Sequence, residues 1–207
     1  MKVLVIGANG GTGKEVVKQL LKQKHTVKAF VRDPKKFSLK DKNLTVVTGN
    51  TRDLASLRAA TKGVDAVVSA LGTRELKKTT LHTDFARNIV SAMKANNVSR
   101  IVTVSAWGAG ESKTQAKLLM RVFYAIFLRN VFADIARGEK IIKDSAINYT
   151  FVRPGRLIDA PARRTVKVST AKKPKVSSSI ARANVAGFAI DQIDSDTYAK
   201  QAPVIGY

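Results

Sequence analysis

The sequence predicts a doubly wound α/β fold: a mainly parallel sheet between two helical layers, three layers in all. Three observations predict it. Short β-branched, apolar runs alternate with helix-period stretches from Lys2 to Val152. A glycine cluster, Gly7-Ala8-Asn9-Gly10-Gly11-Thr12-Gly13, stands between the first run and the first helical stretch. Turn-forming residues such as Arg32-Asp33-Pro34, Gly49-Asn50, Leu71-Gly72-Thr73 and Arg153-Pro154-Gly155 close the later runs. Such alternation implies βαβ units with right-handed crossovers, and ligands in such sheets sit beyond the carboxyl ends of the strands.

Each element has its own warrant. Lys2-Val3-Leu4-Val5-Ile6 reads as a short buried strand. After the glycines, Glu15 to Lys24 places Val16, Val17, Leu20 and Leu21 on one stripe with lysines outside it, an amphipathic helix. Thr26 to Val31 is the second strand, and Pro34 stops regular structure beyond it. Leu44 to Thr48 is the third, followed by a short helix through Ala60 with Asp53 as its N-cap. Asp65 to Ala70 is the fourth. Thr80 to Asn96 is helical with Phe85, Ile89, Val90 and Met93 inward, and Arg100 to Val104 is the fifth strand. Lys113 to Asp144 reads as a long helical stretch broken near Gly138, and Asn148 to Val152 as the sixth strand. Beyond that, Val166 to Val168 and Lys175-Val176 are expected as short strands, Ala183 to Ile193 as a helix, and Pro203 to Ile205 as a final edge strand.

The chain has 207 residues, enough for one full core, so a single domain over 1–207 is expected, with an irregular substrate-side region in about 156–207. There is no cysteine, which excludes disulfides and zinc-thiolate sites and fits a reducing compartment. His25 and His82 have no ligand spacing, so no metal is expected. Met1 runs straight into the first strand, and no run reaches the ~20 apolar residues of a membrane span, so a cytoplasmic location is expected. Lys and Arg number 37 against 15 acidic residues, a net charge of +22. That field attracts polyanions, nucleic acid among them, but the charges are spread along the chain without aromatic interleaving or a helix-turn-helix pattern. Arg163, Arg164, Lys167, Lys172, Lys173 and Lys175 form the most basic local segment.

The glycine spacing, Gly7-x-x-Gly10-x-x-Gly13, suits a tight turn in which no side chain holds a pyrophosphate away from a helix N-terminus. At the end of the second strand, where an acidic residue would bind ribose hydroxyls, stands Arg32. A guanidinium offers a charged fork to the 2′-phosphate of NADP(H). Asp33 beside it is the competing ribose ligand.

The glycine cluster, Val31-Arg32-Asp33, Leu71-Gly72-Thr73-Arg74, the stretch from Ala86 to Lys94 and Val152-Arg153-Pro154 together resemble the atypical short-chain dehydrogenase/reductases. The likeness is to the NADPH-dependent flavin reductase and biliverdin reductase B group, with NmrA-like NAD(P)-binding proteins near it. The resemblance implies a Rossmann-type fold. It places Gly7, Asn9, Gly10, Gly11, Thr12 and Gly13 at the pyrophosphate, and Arg32 with Lys36 at the 2′-phosphate. Asn50, with Thr51 next to it, falls beside the adenine. Leu71, Gly72, Thr73 and Arg74 line the ribose and nicotinamide side. Ser105 sits near the nicotinamide in a positioning or hydrogen-bonding role, and Val152, Arg153 and Pro154 close that end. The flavin reductases carry a histidine shortly after the proline; this chain has Arg156.

No Tyr-x-x-x-Lys pair follows Tyr124, Tyr149, Tyr198 or Tyr207, so ordinary alcohol–ketone chemistry is disfavoured. Hydride transfer to a flavin or a tetrapyrrole asks less of the protein, because such an acceptor can take its proton from solvent. A non-catalytic NmrA-like regulator is the first alternative, and nucleic-acid binding driven by the +22 charge the second. Trp107 is a candidate wall for a flat acceptor, and Arg74, Arg153 and Arg156 candidate partners for its acidic groups. Leu118, Leu119, Val122, Phe123, Ile126 and Phe127 make a broad apolar face that fits core packing, a substrate wall, a membrane-surface helix or a dimer. Monomer and homodimer both stay open.

Overall fold

The computed structural model describes residues 1–73, 77–115, 128–171 and 174–207. Arg74, the apolar face from Leu118 to Phe127, and Lys172 and Lys173 lie outside them. An eight-stranded sheet runs in the order β3-β2-β1-β4-β5-β6-β10-β8. Its strands are β1 (Lys2–Ile6), β2 (Thr26–Val31), β3 (Leu44–Thr48), β4 (Ala66–Ser69), β5 (Arg100–Val104), β6 (Asn148–Pro154), β8 (Lys167–Ser169) and β10 (Val204–Gly206). All neighbours pair in parallel except β10 with β8. Two short strands, β7 (Arg156–Ile158) and β9 (Ser179–Ala181), pair apart from it. The sheet is that of a Rossmann-like α/β fold, as the alternation of elements predicts.

Side chains alternate across each strand, so the two faces bury different sets. Val3 and Val5 of β1, Val68, Val102 and Val152 face α1 (Gly11–Lys22) and α5 (Arg182–Asp191). Leu4 and Ile6, Val67, Ile101 and Phe151 face α2 (Leu54–Thr61), α3 (Leu81–Ala95) and α4 (Arg129–Lys143). The continuous apolar runs thus fill two cores, one above and one below the sheet.

Five expectations change. Helix α1 begins at Gly11, not Glu15, because the glycine loop itself supplies the first helical turn. The stretch from Lys113 to Asp144 is not one helix: Lys113 lies in a 3-10 turn, Gly110–Gln115, and α4 starts at Arg129. Nor does Gly138 break it. α4 crosses α3 so closely there that a Cβ on Gly138 would lie 2.8 Å from the His82 carbonyl oxygen. Finally, β10 is not an edge, because Lys167–Ser169 folds back antiparallel against it, while Lys175-Val176 forms no strand.

Helix α3 has no cap of its own at Thr80. The cap comes from α4: the fully buried Asp134 carboxylate accepts from the His82 and Thr83 amides at 2.8 and 3.2 Å, and from the Thr83 hydroxyl at 2.6 Å. By contrast, α2 is capped locally, Asp53 accepting from the Ala55 and Ser56 amides as its sequence position predicts. Burial lowers the His82 pKa below its ordinary 6.5, partly opposed by the Asp134 charge. The unfolded chain then binds a proton that the folded chain does not, so stability is full above the unfolded value and falls as pH drops below it. The melting temperature is expected to decline between about pH 7 and pH 5, with a shallower decline in His82→Gln. An unchanged slope in that variant would remove His82 from the acid response.

Candidate dinucleotide site

Every strand from β1 to β6 points the same way, so the loops that follow them share one end of the sheet. The chain reverses its direction of travel between β1 and β4, and the crevice beyond that point is where such folds bind ligands.

The glycine loop is held there by sterics. Gly7 has φ +73°, and a Cβ on it would lie 2.6 Å from the Ala70 carbonyl oxygen at the end of β4. A Cβ on Gly13 would lie 2.1 Å from the Gly7 carbonyl oxygen. Only glycine lets α1 start this close to β1. Gly10 N–H donates to Gly7 O, and Lys14 N–H to Gly10 O, each at 2.9 Å. Gly10 caps α1 without a side chain, and the first turn carries no acidic residue. The amides of Gly11, Thr12 and Gly13 open the helix, where no intrahelical acceptor exists for them. That cradle fits a pyrophosphate.

Asn9 ties the loop to β2, donating to the Asp33 carbonyl oxygen at 3.4 Å, while its own buried side-chain oxygen has no partner among the described residues. At the end of β2, Arg32 is exposed. The Asp33 carboxylate, the competing ribose ligand, is turned into its own turn: it accepts from the Lys35 amide at 3.0 Å and pairs with Lys36 at 3.4 Å. Asn50 is similarly engaged, its side-chain oxygen accepting from the Arg52 amide at 3.0 Å. Thr51 is buried behind it, its carbonyl oxygen accepting from Asn88.

Beyond β4, Leu71 and Thr73 are half-buried and Gly72 is exposed, with open space where a Cβ would stand. Beyond β5 and β6, the chain keeps the ladder going: Ser105 N–H donates to Val152 O at 2.8 Å and Trp107 N–H to Pro154 O at 2.9 Å. These bonds bring Ser105, Trp107 and Pro154 together. The Trp107 indole N–H is buried and unpartnered among the described residues. Arg156 is exposed on β7, its amide bonded to the Ser178 carbonyl oxygen. The Val152 side chain is fully buried in the core.

Arg153 goes elsewhere. Its side chain is 2% exposed and points to the α4 side of the sheet. There it meets Glu139 of α4, Nη2 to Oε2 at 2.5 Å and Nε to Oε1 at 3.3 Å, with Glu111 Oε1 at 3.3 Å. Ser105 Oγ donates to the same Glu139 Oε1 at 2.6 Å. Burial alone would lower the Arg153 pKa, but the Glu139 and Glu111 carboxylates outweigh it and raise the guanidinium above its ordinary value. The Ser105 proton is therefore held by Glu139, and toward the crevice this hydroxyl can act only as an acceptor.

Sequence reasoning missed Glu139, although it lies one turn beyond Ile135 and three residues before Ile142 on the inward stripe of α4. A carboxylate on an apolar stripe was the available signal. It also missed Arg182, whose side chain lies against Gly11.

A family model described as NAD(P)H-binding matches residues 7–196. A chloroplastic protein of Arabidopsis thaliana, uncharacterized, is 34% identical over 206 residues, covering 93% of this chain and 71% of its own. A Rossmann-fold NAD(P)-binding family protein from Shigella flexneri is 25% identical, with a TM-score of 0.78 over 99% of this chain and 92% of that one. ChuY, an anaerobillin reductase from Escherichia coli O157:H7, shares the fold at 19% identity, with a TM-score of 0.83 over 100% of this chain and 97% of that one. The matched stretch starts on Gly7 and takes in the cradle, the strand-end loops and helix α5. With a dinucleotide-shaped loop at its first strand and a model match over most of its length, the chain belongs to the NAD(P)H-binding family.

Proposed function

We propose that the protein is an NADPH-dependent reductase that passes hydride to a flavin or a similar planar conjugated acceptor. The cofactor choice rests on one observation: Arg32 stands exposed at the end of β2 while the Asp33 carboxylate is turned back to accept from the Lys35 amide. A guanidinium in that place favours a 2′-phosphate over ribose hydroxyls. When bound, the reduced nicotinamide supplies the hydride. The amides of Gly11, Thr12 and Gly13 hold the pyrophosphate, and Arg32 with Lys36 the 2′-phosphate. Ser105 offers a lone pair, not a proton, so the acceptor's proton comes from solvent. Trp107 and Arg156 stand on the acceptor side, with ChuY, a reductase of the same fold, as supporting analogy.

Arg32→Ala is expected to weaken NADPH binding about 10- to 100-fold, the loss of a charge-assisted contact, and to leave NADH binding unchanged. Fluorescence titration with both nucleotides measures it. A preference for NADH that survives the substitution overturns the assignment. NADPH oxidation with FMN, riboflavin or biliverdin tests the chemistry. The Ser105–Glu139 bond also favours a second reading, an NAD(P)-binding regulator without turnover. Tight NADPH binding with no oxidation by any of these acceptors would select it.

A further inference from the structure

We propose that Arg182, the first residue of α5, is a pyrophosphate-binding residue that reaches the glycine loop from the far end of the chain. The proposal rests on the reading of that loop as the pyrophosphate site. A Cβ built on Gly11 would lie 2.8 Å from both Cδ and Nε of Arg182, so the arginine crosses directly over the first turn of α1. The nearest atoms beside Gly11 thus all belong to this one side chain. Further along α1, Gln19 ties the start of α5 down, donating to the Ala183 carbonyl oxygen at 2.9 Å.

Stability does not explain the placement. A cation at a helix N-terminus opposes the helix dipole. α5 has no side-chain cap at Ala181 and no acidic residue in its first turn to offset it. Among the described residues Arg182 pairs only with Asp159, at 2.8 Å, and the Asp159 side chain is 88% exposed. A pair open to solvent contributes little and is readily exchanged. An anion in the glycine cradle offers the guanidinium a better partner: two charges and a geometry that suits its planar fork, beside the N-terminus of α1. Arg182 then closes the cradle from above while the α1 amides hold it from below.

Arg182→Gln keeps atoms at the Cδ and Nε positions over Gly11 and removes the guanidinium charge. It is expected to weaken NADPH and NADH alike, about 10- to 100-fold, and to leave adenosine 2′-phosphate, which has no pyrophosphate, bound as in the unaltered protein. The readout is quenching of nucleotide or protein fluorescence, independent of turnover. Arg182→Lys is expected to recover part of the loss. Arg32→Ala serves as the contrast, losing NADPH and adenosine 2′-phosphate but not NADH. The proposal is overturned if Arg182→Gln binds both dinucleotides normally, or loses adenosine 2′-phosphate to the same extent. If Arg32→Ala changes nothing while Arg182→Gln still loses NADH, the 2′-phosphate reading fails and this one stands.

Discussion

Glu139→Gln is expected to lower the free energy of unfolding by about 3–5 kcal/mol, the range for removing one partner of a buried ion pair. Glu139 is 7% exposed and Arg153 2%. Their charges are therefore shielded from water, and each depends on the other. Removing the carboxylate leaves Arg153 with Glu111 alone, which is 65% exposed and screened. For a chain of this size the melting temperature moves roughly 2–4 °C per kcal/mol, so the shift is easily seen by calorimetry. The double variant Glu139→Gln/Arg153→Met is expected to recover part of the loss, because an absent pair carries no desolvation penalty. If the single variant melts like the unaltered protein, the pair contributes nothing to the fold.

The second large effect lies at Asp134. Asp134→Ala is expected to destabilise by about 2–4 kcal/mol, combining a lost helix cap with amides left buried and unpaired. The donors affected are the His82 and Thr83 amides and the Thr83 hydroxyl. Arg137, 3.6 Å from the carboxylate, loses its partner as well. Asp134→Asn keeps one acceptor oxygen and is expected to fall between the two. Hydrogen exchange adds a local test: protection should drop first at the start of α3, where the cap acts, before the sheet is affected. Uniform loss across the chain would mean that Asp134 acts as a packing residue and not as a cap.

These two residues show where reading the sequence stops. The strands from β1 to β6 are legible because short continuous apolar runs, closed by Gly, Pro and Asp, mark strands buried on both faces. The glycine loop is legible because sterics restrict it: Gly7 at φ +73° and Gly13 against the Gly7 carbonyl admit no side chain. Arg32 is legible because its place follows from the end of a strand. Arg153 was legible as a strand-end residue but not as a buried one. Its direction depends on the parity of β6, which puts it on the face of Phe151, and on a carboxylate fourteen residues earlier in another element. Gly138 misled for a similar reason. A glycine within a helical pattern signals a break or a close crossing, and only the position of α3 decides which.

What the sequence determined by itself was therefore local in origin: element types, the phosphate turn, the cationic end of β2, and the family those features mark. Backbone sterics and hydrophobic period act over a few residues, and a few residues suffice to read them. Only the tertiary structure decided how α4 serves the rest of the molecule, with Asp134 capping α3 and Glu139 holding both Arg153 and Ser105. It alone brought Arg182 over Gly11, across 171 positions of chain. These are electrostatic and hydrogen-bonding pairings between side chains that share no local pattern, and their strength comes from burial, which exists only once the layers have packed.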